Sequence, residues 1–373
     1  MNSHHESLAD LLDRLTAPAQ LYDKLPDQAV RCFACAHRCL IREGRRGICQ
    51  VRFNAGGVLY APHGYAAGIQ SDPIEKKPFY HVLPGADALT FGMLGCDMHC
   101  DYCQNWLTSQ ALRHDAAGVR PTRVSAAQLI GLAQQAGAKA VVSSYNEPLI
   151  TTEWAVEVFQ QARAHDLICG FVSNGNATAE ALDYLRPWAQ CYKIDLKTMQ
   201  DRNYRQLGAV LQHILDGIRM VHERGFWLEI VTLLVPGFND TDAELRDLAR
   251  FIAAVSPDIP WHVTAFHPDY QMTGQRATTA RDLLRAAVIG KEAGLHFVYA
   301  GNLPGQIGDF AHTFCPGCGQ VLIERTGFQI RSYRLTPAGA CPACAAVIPG
   351  IWHAAPNVHG GQNPRWPRVL RPA

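Results

Sequence analysis

The chain has 373 residues, a formal net charge of +1, 18% charged residues and 13 cysteines. That length allows a barrel-sized core plus one or two small modules, and near-neutral charge offers no footprint for an acidic polymer such as nucleic acid. No run of about 18 apolar residues occurs, so no membrane span is expected, and a start carrying His4, His5, Glu6, Asp10 and Asp13 does not read as a signal peptide.

Residues 1–87 form an N-terminal Cys-rich segment. Leu8, Leu11, Leu12 and Leu15 recur at helical spacing. Cys32, Cys35, Cys39 and Cys49 follow as C-x2-C-x3-C-x9-C with His37 among them, before short strands punctuated by glycine and proline. This spacing is irregular. Zinc, an auxiliary iron–sulfur cubane and unligated thiols are open for it, in that order.

From residue 88 to about 302 the pattern changes. Strand-like runs at 89–94, 138–143, 168–173, 191–196, 227–235, 262–266 and 296–300 alternate with helical segments. Three helices announce themselves by capping pairs: Ser125 with Gln128, Thr241 with Glu244, and Thr279 with Asp282. Gly137 and Gly294 close two of them. Such alternation predicts an α/β fold with parallel strands and crossover helices, in which chemistry gathers at the carboxyl ends of strands. Cys169 and Cys191, each beside strand residues, read as ordinary buried thiols.

Directly after the first of these strands come Cys96, Cys100 and Cys103, spaced C-x3-C-x2-C, with Tyr102 before the third. The count matters more than the spacing. Structural zinc wants four ligands, and a cubane has four irons normally held by four thiolates. Three thiolates leave one iron open for something that is not protein. The competing readings are a zinc knuckle that borrows His99, or a chance cluster. Cysteine clusters without a secretion signal point to metal ligation in a reducing compartment, so a cytoplasmic location is expected.

The trio and several further stretches resemble the radical S-adenosylmethionine (SAM) enzymes close to pyruvate formate-lyase activating enzyme, most fully the radical SAM member of the AmmeMemoRadiSam system. The resembling stretches are 72–81 (DPIEKKPFYH), 103–106 (CQNW), 144–148 (SYNEP), 194–197 (IDLK), 232–240 (TLLVPGFND), 261–270 (WHVTAFHPDY) and 298–302 (VYAGN). The resemblance implies a partial (β/α)6-type barrel over residues 88–305. It also implies a [4Fe-4S] cluster on Cys96, Cys100 and Cys103 that cleaves S-adenosyl-L-methionine to a 5′-deoxyadenosyl radical. Cofactor contacts are implied at Glu147, Asn174, Asp195, Lys197 and His267. Family members carry a Gly-Gly-Glu-Pro-like turn where this chain has Tyr145 and Asn146 before Glu147. Asp195 and Lys197 lie two residues apart, so both side chains should face one way. A flavodoxin or ferredoxin as electron donor and AmmeMemo-type partner proteins are implied as well.

Residues 306–350 carry Cys315, Cys318, Cys341 and Cys344 as C-x2-C-x22-C-x2-C, a zinc-ribbon spacing that also suits a rubredoxin-like iron. Ala345 stands where a second knuckle commonly has glycine. The ribbon lacks basic density, so stabilisation or docking is expected rather than nucleic-acid binding. Residues 351–373, rich in Pro, Gly, Asn and Arg, are expected to form a flexible tail. A radical SAM enzyme acting on a partner protein is the leading reading. Modification of a small molecule is the second, and a zinc-dependent scaffold binding protein or nucleic acid is the third. The sequence names no substrate.

Overall fold

In the computed structural model, residues 7–353 and 368–372 are described. The apolar runs assemble side by side into one sheet. Its strands in chain order are β1 (Gly68–Pro73), β2 (Asp87–Gly92), β3 (Ala140–Ser143), β4 (Ile168–Ser173), β5 (Cys191–Asp195), β6 (Trp227–Leu234), β7 (Trp261–Ala265) and β8 (Val298–Gly301). All pairings from β2 through β8 are parallel. Each successive parallel pair is bridged by a main helix: α1 (Ala126–Gln135), α2 (Thr152–Arg163), α3 (Ala179–Leu185), α4 (Leu211–Glu223), α5 (Asp242–Val255) and α6 (Ala280–Glu292), with short extra helices at Trp106–Ser109 and Asp201–Gln206. Right-handed crossovers of this kind place helices on the outer face of a parallel sheet.

Two of the three capping pairs form reciprocally, at Ser125/Gln128 and Thr279/Asp282. At Thr241 only half forms. The Glu244 carboxylate turns away and accepts from Thr198 Oγ1 and from Met199 N, pinning the loop that follows β5. Helices α2 and α4 have no side-chain cap and are held by their buried faces, such as Ile214, Leu215, Ile218 and Val221 on α4.

The sheet curls around its own N-terminal connection. Residues 74–86, between β1 and β2, pack Ile74, Phe79, Val82, Leu83 and Ala86 against Ala88, Ala140, Val142 and Cys191. Gly170 makes room for this plug, since a Cβ there would stand 3.3 Å from the Phe79 ring and 3.1 Å from Cys191 Sγ. On the far wall Glu229 of β6 accepts from the Tyr80 and His81 backbones at 3.0 and 2.9 Å and pairs with His262 of β7 at 2.7 Å. A segment touching β2, β3, β5, β6 and β7 together lies inside a partial barrel. On the other side of this connection β1 pairs antiparallel with β2 along its whole length.

The C-terminal module is a three-stranded sheet of Thr313–Phe314, Val321–Thr326 and Gln329–Tyr333. Its small core of Leu322, Ile323, Ile330, Leu335 and Ile348 is shared with Tyr80, Phe297 and Tyr299 of the barrel. Arg325, fully buried, donates to Tyr80 O and Thr313 Oγ1, both at 2.8 Å. Of the stretch expected to be a flexible tail, residues 354–367 and 373 lie outside the described residues. Arg368–Val369 forms an edge strand against Gln70 and Ser71. No helix among the described residues is long and apolar enough to cross a membrane.

Candidate functional site

The carboxyl ends of the strands converge on a cavity of about 420 Å³. Its wall includes the three cysteines after β2, Glu147 after β3, Asn174 after β4, Asp195 and Lys197 at the end of β5, and Asn302 after β8. Phe328 reaches the same cavity from the hairpin of the C-terminal module.

The cysteine loop can run here because Gly92 has no side chain. A Cβ at Gly92 would lie 2.5 Å from the Ser144 carbonyl, a contact no other residue could make. Beyond it, Met93 N donates to Asn146 Oδ1 at 2.9 Å and Met98 N to Cys96 Sγ at 3.4 Å. Cys103 Sγ lies 3.1 Å from Ser109 Oγ. Burial and the neighbouring Asp97 push Cys96 well above the ordinary thiol range, and burial pushes Cys100 up to about 12. As free thiols in a dry wall they are poor nucleophiles. A metal would be needed to hold them as thiolates.

Among the described residues, no fourth cysteine and no histidine lines this cavity. His99 is exposed, and its ring lies against Gly208, whose Cβ position is 2.7 Å from Nε2. The zinc knuckle completed by His99 is thereby disfavoured. The three thiols also do not converge as a mononuclear site would, since the only set of ligand atoms within 4.8 Å of one another among the described residues is elsewhere. One buried and two half-buried thiols beside an open cavity fit an iron–sulfur group with one free coordination position.

Opposite them, the carboxylate of Glu147 accepts from Ser173 Oγ (2.7 Å), Leu149 N (3.0 Å) and Asn174 N (2.7 Å). Burial and the nearby Asp97 raise its affinity for a proton. The Asn174 side chain donates to Asp97 at 2.7 Å and accepts from Asn176 N at 2.9 Å. The glycines of the relatives' turn are replaced at some cost: Tyr145 sits at φ +73°. Its hydroxyl stands 3.0 Å from Lys77 Nζ, 3.0 Å from Gln70 Oε1 and 3.2 Å from Asp72 Oδ2.

Asp195 pairs with Lys197 at 3.6 Å, but more closely with Lys193, at 2.5 Å. Against the cost of burial, the two lysines hold Asp195 below the usual carboxylate range. Burial also opposes charge on Lys197, yet Asp195 and Cys100 together hold its pKa well above the usual lysine value. His267 is not brought to this cavity. Its side chain is 63% exposed, bonds Gln104 at 3.0 Å, and borders a second cavity of about 810 Å³ that shares Gln104, Asn302 and Phe328 with the first. Sequence reasoning missed Lys193, Asp97 and Ser173. Lys193 was findable, since positions 193, 195 and 197 share one strand face; Asp97 and Ser173 carry no motif of their own.

The two end modules differ. Cys315, Cys318, Cys341 and Cys344 bring their Sγ atoms within 4.8 Å of one another, with Cys315–Cys344 at 3.5 Å and Cys318–Cys341 at 3.7 Å. Tetrahedral zinc with bonds of about 2.3 Å sets sulfurs about 3.8 Å apart, so this four-cysteine group fits such an ion. Cys32, Cys35, Cys39 and Cys49 do not converge in that way. Three of them are buried, and Arg52 Nη1 lies 3.9 Å from Cys32 Sγ.

A parallel α/β barrel with three thiols lining a cavity at its carboxyl rim defines the class. Residues 91–252 match the radical SAM superfamily model. Over 333 residues the chain is 32% identical to an uncharacterized protein of Methanocaldococcus jannaschii, covering 88% of this chain and 98% of that one. The protein belongs to the radical SAM superfamily. Over 128 residues it is 24% identical to an isethionate sulfite-lyase activating enzyme of Oleidesulfovibrio alaskensis, covering 33% of this chain and 41% of that one. A radical SAM methyltransferase structure from Sphaerobacter thermophilus aligns with TM-score 0.48 at 16% identity, covering 84% of each chain. Membership implies an enzyme that uses an iron–sulfur cluster and SAM.

Proposed function

We propose that Cys96, Cys100 and Cys103 hold a [4Fe-4S] cluster whose open iron takes the amino acid end of SAM. The observation that carries this is the wall itself: three buried or half-buried thiols, with no fourth Cys or His among the described residues of the lining, share one cavity with Glu147 and the Asp195–Lys197 pair. When bound, the cluster supplies the electron that splits SAM to methionine and the 5′-deoxyadenosyl radical, which takes a hydrogen atom from substrate. This chain's residues bind and orient. Glu147 suits the cofactor ammonium and Lys197 its carboxylate. Asn174 fixes the Glu147 turn to the cysteine loop through Asp97. His267 reaches the cofactor only indirectly, through Gln104.

The likeness to activating enzymes over a third of the chain favours a partner protein as substrate. AmmeMemo-type proteins are the candidates, with a flavodoxin or ferredoxin as donor in a cytoplasmic setting. A zinc ion in the C-terminal module completes the proposal; its role is to fasten the hairpin that brings Phe328 to the cavity. Anaerobic reconstitution with iron and sulfide should give broad visible absorbance that bleaches on reduction, and 5′-deoxyadenosine once SAM and dithionite are added. Cys100→Ala should lose both. Normal cleavage in Cys100→Ala would remove the assignment.

A further inference from the structure

Two walls of the cavity repeat one charge arrangement. On β5, Lys193 and Lys197 share the single carboxylate of Asp195. On the plug, Lys76 and Lys77 share the single carboxylate of Asp72, at 3.1 and 2.6 Å. All four lysines line the cavity, whereas Asp72 is fully buried behind its pair. One carboxylate offsets one ammonium, so each wall keeps a surplus positive charge facing the space between them. An unmatched buried ammonium is costly unless a ligand completes it.

Lys77 is built into place rather than left at a surface, with a side chain only 4% exposed. Of its three donors, one goes to Asp72 Oδ2 and one to Tyr145 Oη. The third has no acceptor among the described residues. Burial lowers Lys77 to about 8, which still leaves it largely charged at neutral pH. The proposed cofactor needs a single cationic pole, for its own carboxylate, and Lys197 beside the cysteines supplies it. The plug pole is left over. The same cavity is also lined by the apolar Val172, Val231 and Leu233.

We infer that Lys76 and Lys77 hold a carboxylate or phosphate group of the substrate, setting an apolar part of that molecule between the plug and the cofactor. The inference rests on reading the cavity as the reaction chamber. It narrows the substrate to an anion, either a small molecule or an acidic side chain of a partner.

The test is titration calorimetry on the anaerobically reconstituted protein with SAM bound, using inorganic phosphate and acetate as probes. At least one should bind saturably, and which one does tells phosphate from carboxylate. Lys77→Met and Lys76→Met should each weaken that binding by about tenfold or more, as loss of a charge-assisted contact does. Absence of saturable binding of either anion to the wild type, or equal affinity in the variants, overturns the inference. If Lys77→Met does not fold, Lys76→Met decides, because that side chain is 31% exposed. Cleavage of SAM by the wild type without substrate is scored separately. If cleavage fails, the chamber reading falls. If cleavage holds and anion binding is absent, only this inference falls.

Discussion

Asn174 donates to Asp97 across 2.7 Å, joining the turn after β4 to the loop that carries the cysteine trio. Asn176 adds a second bond to the same carboxylate at 2.7 Å. Asp97 is fully buried and adjoins Cys96, so the cysteine loop takes its shape from a strand end two positions away in the sheet.

Asp97→Ala should therefore act on both stability and metal. It strands two buried amides, each worth about 1–3 kcal/mol when left unpaired. A lower thermal unfolding temperature should accompany fewer irons retained after reconstitution. Wild-type values for both would show that the loop holds itself.

Lys197→Ala separates binding from stability. Breaking a buried pair typically costs about 3–5 kcal/mol, but Asp195 keeps Lys193 at 2.5 Å, so the loss should be smaller. SAM affinity should fall with iron content intact. Equilibrium dialysis beside thermal unfolding checks this, and unchanged affinity in a stable variant would exclude Lys197 from the cofactor site.

Lys77 should leave a mark on alkaline stability. Its folded pKa is depressed from 10.5 to about 8 by burial. Below pH 8 both states carry the proton and the penalty is constant. Between 8 and 10.5 the unfolded chain binds more protons, so raising pH favours the folded state, by about 3 kcal/mol across the window. Lys77→Met removes this contribution. Relative to the variant, the wild type should gain stability in denaturant unfolding as pH rises through that window; parallel curves would place Lys77 in water.

The C-terminal module predicts its own improvement. Ala345 sits at φ +62°, where Gly319 of the first knuckle sits at +74°. A left-handed alanine costs about 1–2 kcal/mol, so Ala345→Gly should stabilise the module by about 1 kcal/mol after the entropy of glycine is subtracted. Resistance to a chelator reports it. One zinc per chain should remain in protein lacking Cys96, Cys100 and Cys103; finding no metal there would show that the four thiols are not a site.

Much of the barrel was legible because its signals are local. Seven apolar runs of strand length, separated by capped helices, can hardly pack except as a parallel sheet with crossovers, and each lies within a few residues of its strand. The cysteine trio stood out for the same reason, being three cysteines in eight consecutive positions. The four C-terminal cysteines announced themselves as two short turns.

Only the tertiary structure decided the rest. Residues 74–86 belong to the stretch that the sequence offers only as short strands punctuated by glycine and proline, and become the barrel's filling because Gly170 leaves space and Glu229 accepts their backbone. The pairing of Lys77 with Tyr145, and the placing of His267 away from the cavity that the thiols line, depend on strands far apart in the chain. So does the sharing of one core by the ribbon and the barrel. Periodicity and spacing report what neighbours in sequence do. Which charges face each other across a cavity is set by how the sheet closes, and no local pattern encodes that.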